Sequence, residues 1–252
     1  MPERGDPFHL DRGRLRASFE RASARYEAAA GLQARIGAEL LERLELFRLA
    51  PGVVLDLGCG TGRVTRELKR RYPRACVIAL DLAPGMLREA RRHQWPWRRF
   101  ERVCGDALRL PLQSGSVDLI FSNLMLQWCE PLPAALAEVR RVLTASGFFA
   151  FSTFGPDTLH ELRSAWAQAD GYNHVNHFSD MHEVGDALVR AGLIEPGARC
   201  RSHRGWLPGC PHVDAPPQGD RRPQRDRGAL AHARRPLTPR ARAASLRELP
   251  TW

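Results

Sequence analysis

Three glycines in five residues, Gly58, Gly60 and Gly62, follow the apolar run Val53-Val54-Leu55-Asp56-Leu57 and open a helical pattern. Glycines there let the backbone turn tightly and let a ligand approach without Cβ clashes. Dinucleotide loops space their glycines G-x-G-x-x-G, whereas here the third glycine comes one residue earlier and Arg63 fills the place; no Gly-Lys-Ser or Gly-Lys-Thr follows, which excludes a P-loop. Asp81, followed by Leu82, ends the second apolar run 23 residues after Gly58, where a carboxylate can accept both hydroxyl protons of a ribose. Gly105-Asp106-Ala107 puts a second carboxylate where an adenine amino group would lie. Ser122-Asn123-Leu124, with Gln127 and Trp128, follows the fourth run and faces the other end of such a ligand. Taken singly, Asp81 and Asp106 also read as helix N-caps and Asn123 as a turn residue.

These groups share one edge only if the segments carrying them are parallel strands. Residues 53–57, 76–80, 100–104, 117–122 and 147–152 are short apolar runs of the kind buried on both faces of a sheet. Helical patterns at 62–71, 84–92 and 132–143 separate them, residues 14–49 predict two helices broken at Gly31, and 181–191 predicts one more, ended by Gly192. The alternation predicts an α/β fold, a doubly wound, mostly parallel, Rossmann-like sheet with helices on both faces, because each parallel crossover needs a helix. Ligands in such sheets bind beyond the carboxyl ends of the strands. The chain divides into an N-terminal helical cap (1–50), a ligand-binding domain (51–197) and a basic tail (198–252).

At 252 residues the chain can bury one sizeable core. No apolar run is long enough for a bilayer, and the charged N-terminus lacks a following apolar stretch, so the expectation is a cytoplasmic monomer without a membrane partner. Six cysteines without a C-x-x-C pair argue against a disulfide or zinc framework. His174, His177 and His182 have no cysteine or acid placed to complete a metal site, and none is assigned. The net charge of +10 is uneven: residues 199–252 hold twelve arginines against four acids, the remainder 26 basic against 24 acidic residues. The body is near neutral, and no nucleic-acid partner is expected. Lys69 is the only lysine beside 37 arginines, a bias that reads as GC-rich coding. Trp95 and Trp97, flanking Pro96, could form a base-stacking platform but read better as a loop packed on the sheet.

The stretch Val54-Leu55-Asp56-Leu57-Gly58-Cys59-Gly60-Thr61-Gly62 is similar to the first motif of class I S-adenosylmethionine-dependent methyltransferases, and Asp81 and Gly105-Asp106 match their later motifs. More narrowly, the chain from about Arg16 to Gly192 resembles the malonyl-acyl-carrier-protein O-methyltransferases of biotin synthesis. The resemblance rests on Ser18-Phe19, Arg21-Ala22, Tyr26, Leu32-Gln33, Ser122-Asn123-Leu124, Leu126-Gln127-Trp128 and Phe151-Ser152-Thr153-Phe154-Gly155-Pro156-Asp157-Thr158-Leu159. It implies S-adenosyl-L-methionine as cofactor, held by Asp56, Gly58, Gly60, Gly62, Asp81, Leu82, Asp106, Ala107, Asn123 and Gln127. It also implies Tyr26, Gln33, Trp128 and Phe154 as lid or substrate residues, though Tyr26 and Gln33 read equally well as helix packing. The implied reaction is methylation of the free malonyl carboxylate on an acyl carrier protein. A carboxylate is ionised at pH 7 and needs no general base, so catalysis is alignment and desolvation. An arginine to hold that anion is expected, but the sequence singles none out and no catalytic residue is assigned. The alternatives are a related methyltransferase with another acceptor, a small molecule or a protein arginine, and an inactive core with an arginine-rich tail that binds nucleic acid.

The resemblance stops near residue 198. Residues 198–252 contain eight of the nineteen prolines and no Ile, Phe, Tyr or Met. Such a composition does not easily offset its ordering entropy by burial. Codons allowed for Leu207 to Ala215, read one base on, give Tyr-Pro-Asp-Val-Arg-Thr-Leu-Met, similar to the family's own C-terminal helix. The tail therefore reads as disordered or as an out-of-frame translation. The sheet would then lack its last strands, leaving the fifth with an uncovered edge and the chain with weak turnover. A solvated basic linker is the bland alternative.

Overall fold

Val53-Val54-Leu55-Asp56-Leu57 forms β1 (Val53–Leu57), with four of its five residues buried, in the middle of the sheet. The computed structural model describes residues 11–169, 178–197 and 230–232. β2 (Cys76–Asp81) and β3 (Glu101–Cys104) lie to one side of β1, and β4 (Val117–Asn123) and β5 (Leu143–Ser152) to the other, all parallel. With β6 (Ile194–Gly197) and β7 (Leu230–His232) the full order is β3-β2-β1-β4-β5-β7-β6. Strand order reverses between β1 and β4, and a crevice opens there at the carboxyl ends.

Alternation along the strands divides the core in two. Val54, Val77, Ala79, Leu119, Phe121 and Phe148 face one side, and are covered by α3 (Gly31–Arg43), α4 (Arg63–Arg71) and α5 (Pro84–Arg92) through Leu40, Leu68, Leu87 and Ala90. Leu55, Leu57, Ile78, Leu80, Ile120 and Phe149 face the other, under α6 (Leu132–Val142) and α8 (Met181–Arg190) through Leu136, Val139, Val142, Val184 and Leu188. The doubly wound, mostly parallel architecture read from the sequence is the one observed. α8 starts with a capping box in which the Asp180 carboxylate accepts from the Glu183 N–H and the Glu183 side chain accepts from the Asp180 N–H.

The N-terminal pattern breaks where Gly31 suggested, but in more pieces. α1 (Arg12–Ala22) passes through a 3-10 turn (Ser23–Arg25) into the single turn α2 (Tyr26–Ala29), and α3 restarts at Gly31. β5 begins earlier than its apolar run, directly after α6, with a bulge between Val117 and Leu119 of its partner. A Cβ on Gly147 would lie 3.0 Å from the Thr144 carbonyl oxygen and 2.7 Å from Leu143 Cδ2, so a side chain there would force the strand's neighbours to shift. α7 (His160–Ala169) was not read from the sequence.

Two expectations are corrected. The sheet does not end at β5: Leu230–His232 forms β7, antiparallel to Phe148–Ala150, and β6 (Ile194–Gly197) pairs with β7. Pairing uses backbone groups, so a three-residue segment, Leu230-Ala231-His232, in a stretch rich in arginine and proline suffices to cover part of the edge. Trp97 is not packed on the sheet; it is 78% exposed, and the Arg98 guanidinium lies 5.6 Å from the Trp95 ring.

Candidate active site

The loop after β1 is built on its glycines. Gly58, Gly60 and Gly62 all have positive φ, and the N–H groups of Gly58 and Cys59 both donate to the Leu80 carbonyl, at 2.8 and 3.0 Å, which ties the loop to β2. A Cβ on Gly58 would stand 2.3 Å from Met125 Cγ, so any side chain there would collide with the loop after β4. Gly62 caps α4 in the left-handed region, 2.9 Å from Ala90 Cβ by its missing side chain; it brings α4 against α5 rather than facing a ligand.

Asp81 stands at the carboxyl end of β2. Its Oδ2 accepts from the Gly60 N–H and its Oδ1 from the Ala83 N–H, both at 2.9 Å. Burial pushes its pKa up, while the bonds from Ala83, Gly60 and Leu82 oppose that shift. Asp106, after β3, accepts from the Leu108 N–H at 2.9 Å through Oδ1 and from Arg12 Nη1 at 2.5 Å through Oδ2. The two carboxylates open onto one cavity with about 780 Å³ of empty space, counting the solvent at its mouth.

Its walls are Leu57, Gly58, Gly60 and Asn123 on the sheet side, and Leu82, Met86, Ala107 and Leu108 beside the two carboxylates. Arg12, Leu15, Phe19 and Tyr26 from the N-terminal cap also line it, with Leu124, Met125, Trp128 and Cys129 from the loop after β4. Phe19 meets Trp128 edge to face at 5.5 Å between centroids and Tyr26 at 6.5 Å. Burial raises the Tyr26 pKa, and the charge of Asp81 adds to it. Burial pushes the Cys129 thiol up to about 12, so it stays protonated and is no nucleophile at neutral pH.

The structure thus brings Gly58, Gly60, Asp81, Leu82, Asp106, Ala107, Asn123, Tyr26 and Trp128 of the expected residues into one cavity. It does not bring the rest. Asp56 is buried under α4, where Thr65 Oγ1 donates to it at 2.5 Å. Gln127 turns back, donating from Nε2 to the Leu124 carbonyl at 2.6 Å. Gln33 contributes its carbonyl, which accepts from Asn123 Nδ2 at 2.9 Å. Phe154 packs on Phe178 at 5.4 Å and is not part of the wall. Asn123 also accepts from Ser152 Oγ at 2.8 Å, so both ends of its amide hold protein elements together. Sequence reading did not single out Arg12, Leu15, Met86, Met125 or Cys129 as site residues. Of these only Arg12 carries a chemical signal, and it was one arginine among 37.

Of the expected histidines, His174 and His177 lie outside the described residues. Cys59, Cys76, Cys104 and Cys129 are free thiols. Among the described residues no helix is long and apolar enough to cross a membrane.

A glycine-rich loop after β1, a carboxylate after β2, another after β3 and a crevice at the reversal of strand order define the class of S-adenosylmethionine-dependent methyltransferases. In agreement, the Methyltransferase domain family matches residues 55–151. A methyltransferase of Thermotoga maritima superposes with a TM-score of 0.54 at 22% identity over 71% of this chain and 81% of its own. One of Aquifex aeolicus gives 0.52 at 18% over 76% and 92%. At such identities these show the fold alone. The malonyl-[acyl-carrier protein] O-methyltransferase of Laribacter hongkongensis is 50% identical over 199 residues, 76% of this chain and 67% of the relative. That of Halorhodospira halophila is 50% identical over 193 residues, 76% and 65% respectively. The chain belongs to the malonyl-[acyl-carrier protein] O-methyltransferase family, and spans about two thirds of the length of these relatives.

Proposed function

We propose that this chain transfers a methyl group from S-adenosylmethionine to the free carboxylate of a malonyl group carried by an acyl carrier protein. The observation that carries the acceptor is the 50% identity, across three quarters of the chain, to relatives that bear that name.

The cavity suits the cofactor on its own chemistry. Gly60 leaves open the space that a Cβ would fill, with only the Tyr26 ring within 4 Å of it, Asp81 offers a carboxylate to a ribose, and Asp106 with Leu82, Met86 and Ala107 forms a partly apolar slot for an adenine. S-adenosylmethionine, when bound, supplies an electrophilic methyl group on a sulfonium sulfur. Phe19, Leu124 and Trp128 then wall off water from the reacting end, where desolvation makes the acceptor oxygen more nucleophilic. The acceptor carboxylate is already ionised, so no proton has to be removed; the O–C bond forms as the C–S bond breaks and the electron pair stays on sulfur. The protein's part is to align the two reactants.

Labelled S-adenosylmethionine offered with malonyl-loaded carrier protein, free RNA or candidate proteins tests this, with a base-labile methyl ester on the malonyl group as the expected product. Methylated RNA or protein with an untouched carrier would overturn it. We extend the proposal to residues 198–252, read as an out-of-frame translation of the family's C-terminal region on the strength of their proline and arginine composition. An intact reading frame through codons 195–210 without an insertion or deletion relative to close relatives would refute that extension.

A further inference from the structure

The cavity has a roof attached in an unusual way. Arg12, Leu15 and Phe19 of α1 line it, yet α1 contains no fully buried residue. Such a helix is held at a few points rather than by a core. At its C-terminal end Glu20 accepts from the Gly85 N–H at 2.5 Å and pairs with Arg88, both on α5. Next to it in the chain Phe19 rests on Trp128. At its N-terminal end the ion pair of Arg12 with Asp106 ties it, among the described residues, to the opposite wall. That pair is made on the carboxylate best placed for the adenine end of a ligand, and Arg12 itself is part of the wall there.

We infer that Arg12 is a positioning residue for the cofactor: its ion pair with Asp106 pins α1 across the adenine end of the cavity and retards cofactor release. The inference rests on the cofactor assignment above. α1 covers part of a cavity that also has an open mouth, so a ligand the size of a nucleoside leaves faster when one end of that cover frees itself. The Glu20 end has a backbone hydrogen bond as well as an ion pair, and it continues into the 3-10 turn that joins α1 to α2. The Arg12 end is the first residue of its helix and, among the described residues, meets the far wall through Asp106. Arg12 and Asp106 side chains are 43% and 30% exposed, so salt reaches the pair and weakens it. Opening therefore starts at Arg12 and pivots about the Glu20 contact.

Release of S-adenosylhomocysteine, measured by stopped-flow dilution at 50 and 500 mM salt, tests the assignment. Exposed ion pairs of this kind are worth a factor of roughly two to five. Arg12→Ala is expected to release the ligand about two to five times faster at low salt, with a rate nearly independent of salt. The wild-type rate is expected to climb toward that of the variant as salt rises. Arg12→Lys keeps the charge and should restore most of the salt dependence. Glu20→Gln loosens the other end of α1 while leaving Arg12 and Asp106 intact; release should quicken and still respond to salt. A release rate and salt response in Arg12→Ala equal to wild type would overturn the inference, as would loss of the salt response in Glu20→Gln. If the wild-type chain binds no S-adenosylhomocysteine, the cofactor assignment fails and this inference with it; tight wild-type binding with an indifferent Arg12 sinks the latch alone.

Discussion

Replacing Asp56 by Asn should make the protein more stable, and increasingly so as pH rises. The carboxyl is 1% exposed and has Thr65 Oγ1 as its hydrogen-bond donor at 2.5 Å. Burial pushes its pKa from 3.8 to about 7; the Thr65 hydrogen bond opposes the shift and the negative charge of Asp81 adds to it. The folded chain therefore keeps a proton that the unfolded chain releases between pH 4 and 7, and over that window stability falls as pH rises. The full gap is worth at most about 4 kcal/mol at about 1.4 kcal/mol per pH step. At pH 5 less than half of it is expressed, and well above pH 7 nearly all of it. Asparagine has the same shape, keeps an oxygen for Thr65 and carries no charge. Its advantage in urea unfolding should therefore grow by about 2–3 kcal/mol between pH 5 and pH 8. Titrations common to both chains, including that of Asp81, largely cancel in the difference. Parallel stability curves across that range would refute the reasoning and mean that water or a rearranged Thr65 solvates the carboxylate.

Asp81→Ala removes a carboxylate that can take two charge-assisted hydrogen bonds from a ribose, worth about 2–3 kcal/mol; calorimetry should show S-adenosylmethionine affinity down roughly 30- to 150-fold. Unchanged affinity would sink the role given to Asp81. Gly58→Ala puts a Cβ 2.3 Å from Met125 Cγ at a φ of +77°, and should cost about 2–4 kcal/mol in denaturant unfolding as well as cofactor binding. A variant that unfolds like wild type would show the loop after β4 to be freer than described. Arg141→Met removes bonds to the carbonyls of Leu110 and Leu112, at 2.9 and 2.8 Å, and to Glu138. It should lower unfolding free energy by about 1–3 kcal/mol without changing the affinity for S-adenosylhomocysteine, since none of these groups except the neighbourhood of Leu108 approaches the cavity.

The strands that frame the site were legible because buried parallel strands are unbroken apolar runs: β1 has the predicted limits, and β2 and β4 run one residue further. β5 was caught only from Gly147, since Leu143-Thr144-Ala145-Ser146 is small and polar and reads as the end of a helix. β6 and β7 were not legible, because a three- or four-residue strand carries no period. Within the site, Gly58, Gly60 and Asp81 could be placed because their roles are set by the local turn after a strand. Asp56 looked equivalent in the motif, but side chains alternate along a strand, and its carboxylate goes to Thr65 instead. Phe19, Leu15 and Arg12 reach the cavity through the packing of α1 across the sheet edge, a long-range placement that spacing along the chain does not encode.

That same roof has a consequence for the order in which the protein can be finished on the ribosome. Leu15 and Phe19 emerge early, but the ring that Phe19 rests on belongs to Trp128, more than a hundred residues later. At about 5–20 residues per second the apolar face of α1 waits roughly 5–20 s for its counterpart. The segment crosses that interval studded with arginine, with Arg12, Arg14, Arg16 and Arg21 on eleven residues. With Glu20 as the one acid among those eleven residues, a net charge of +3 keeps nascent chains apart while two large apolar side chains stand uncovered. Substituting those arginines by neutral residues would leave the finished cavity walls other than Arg12 in place, yet raise the fraction of newly made chain that aggregates before Trp128 arrives.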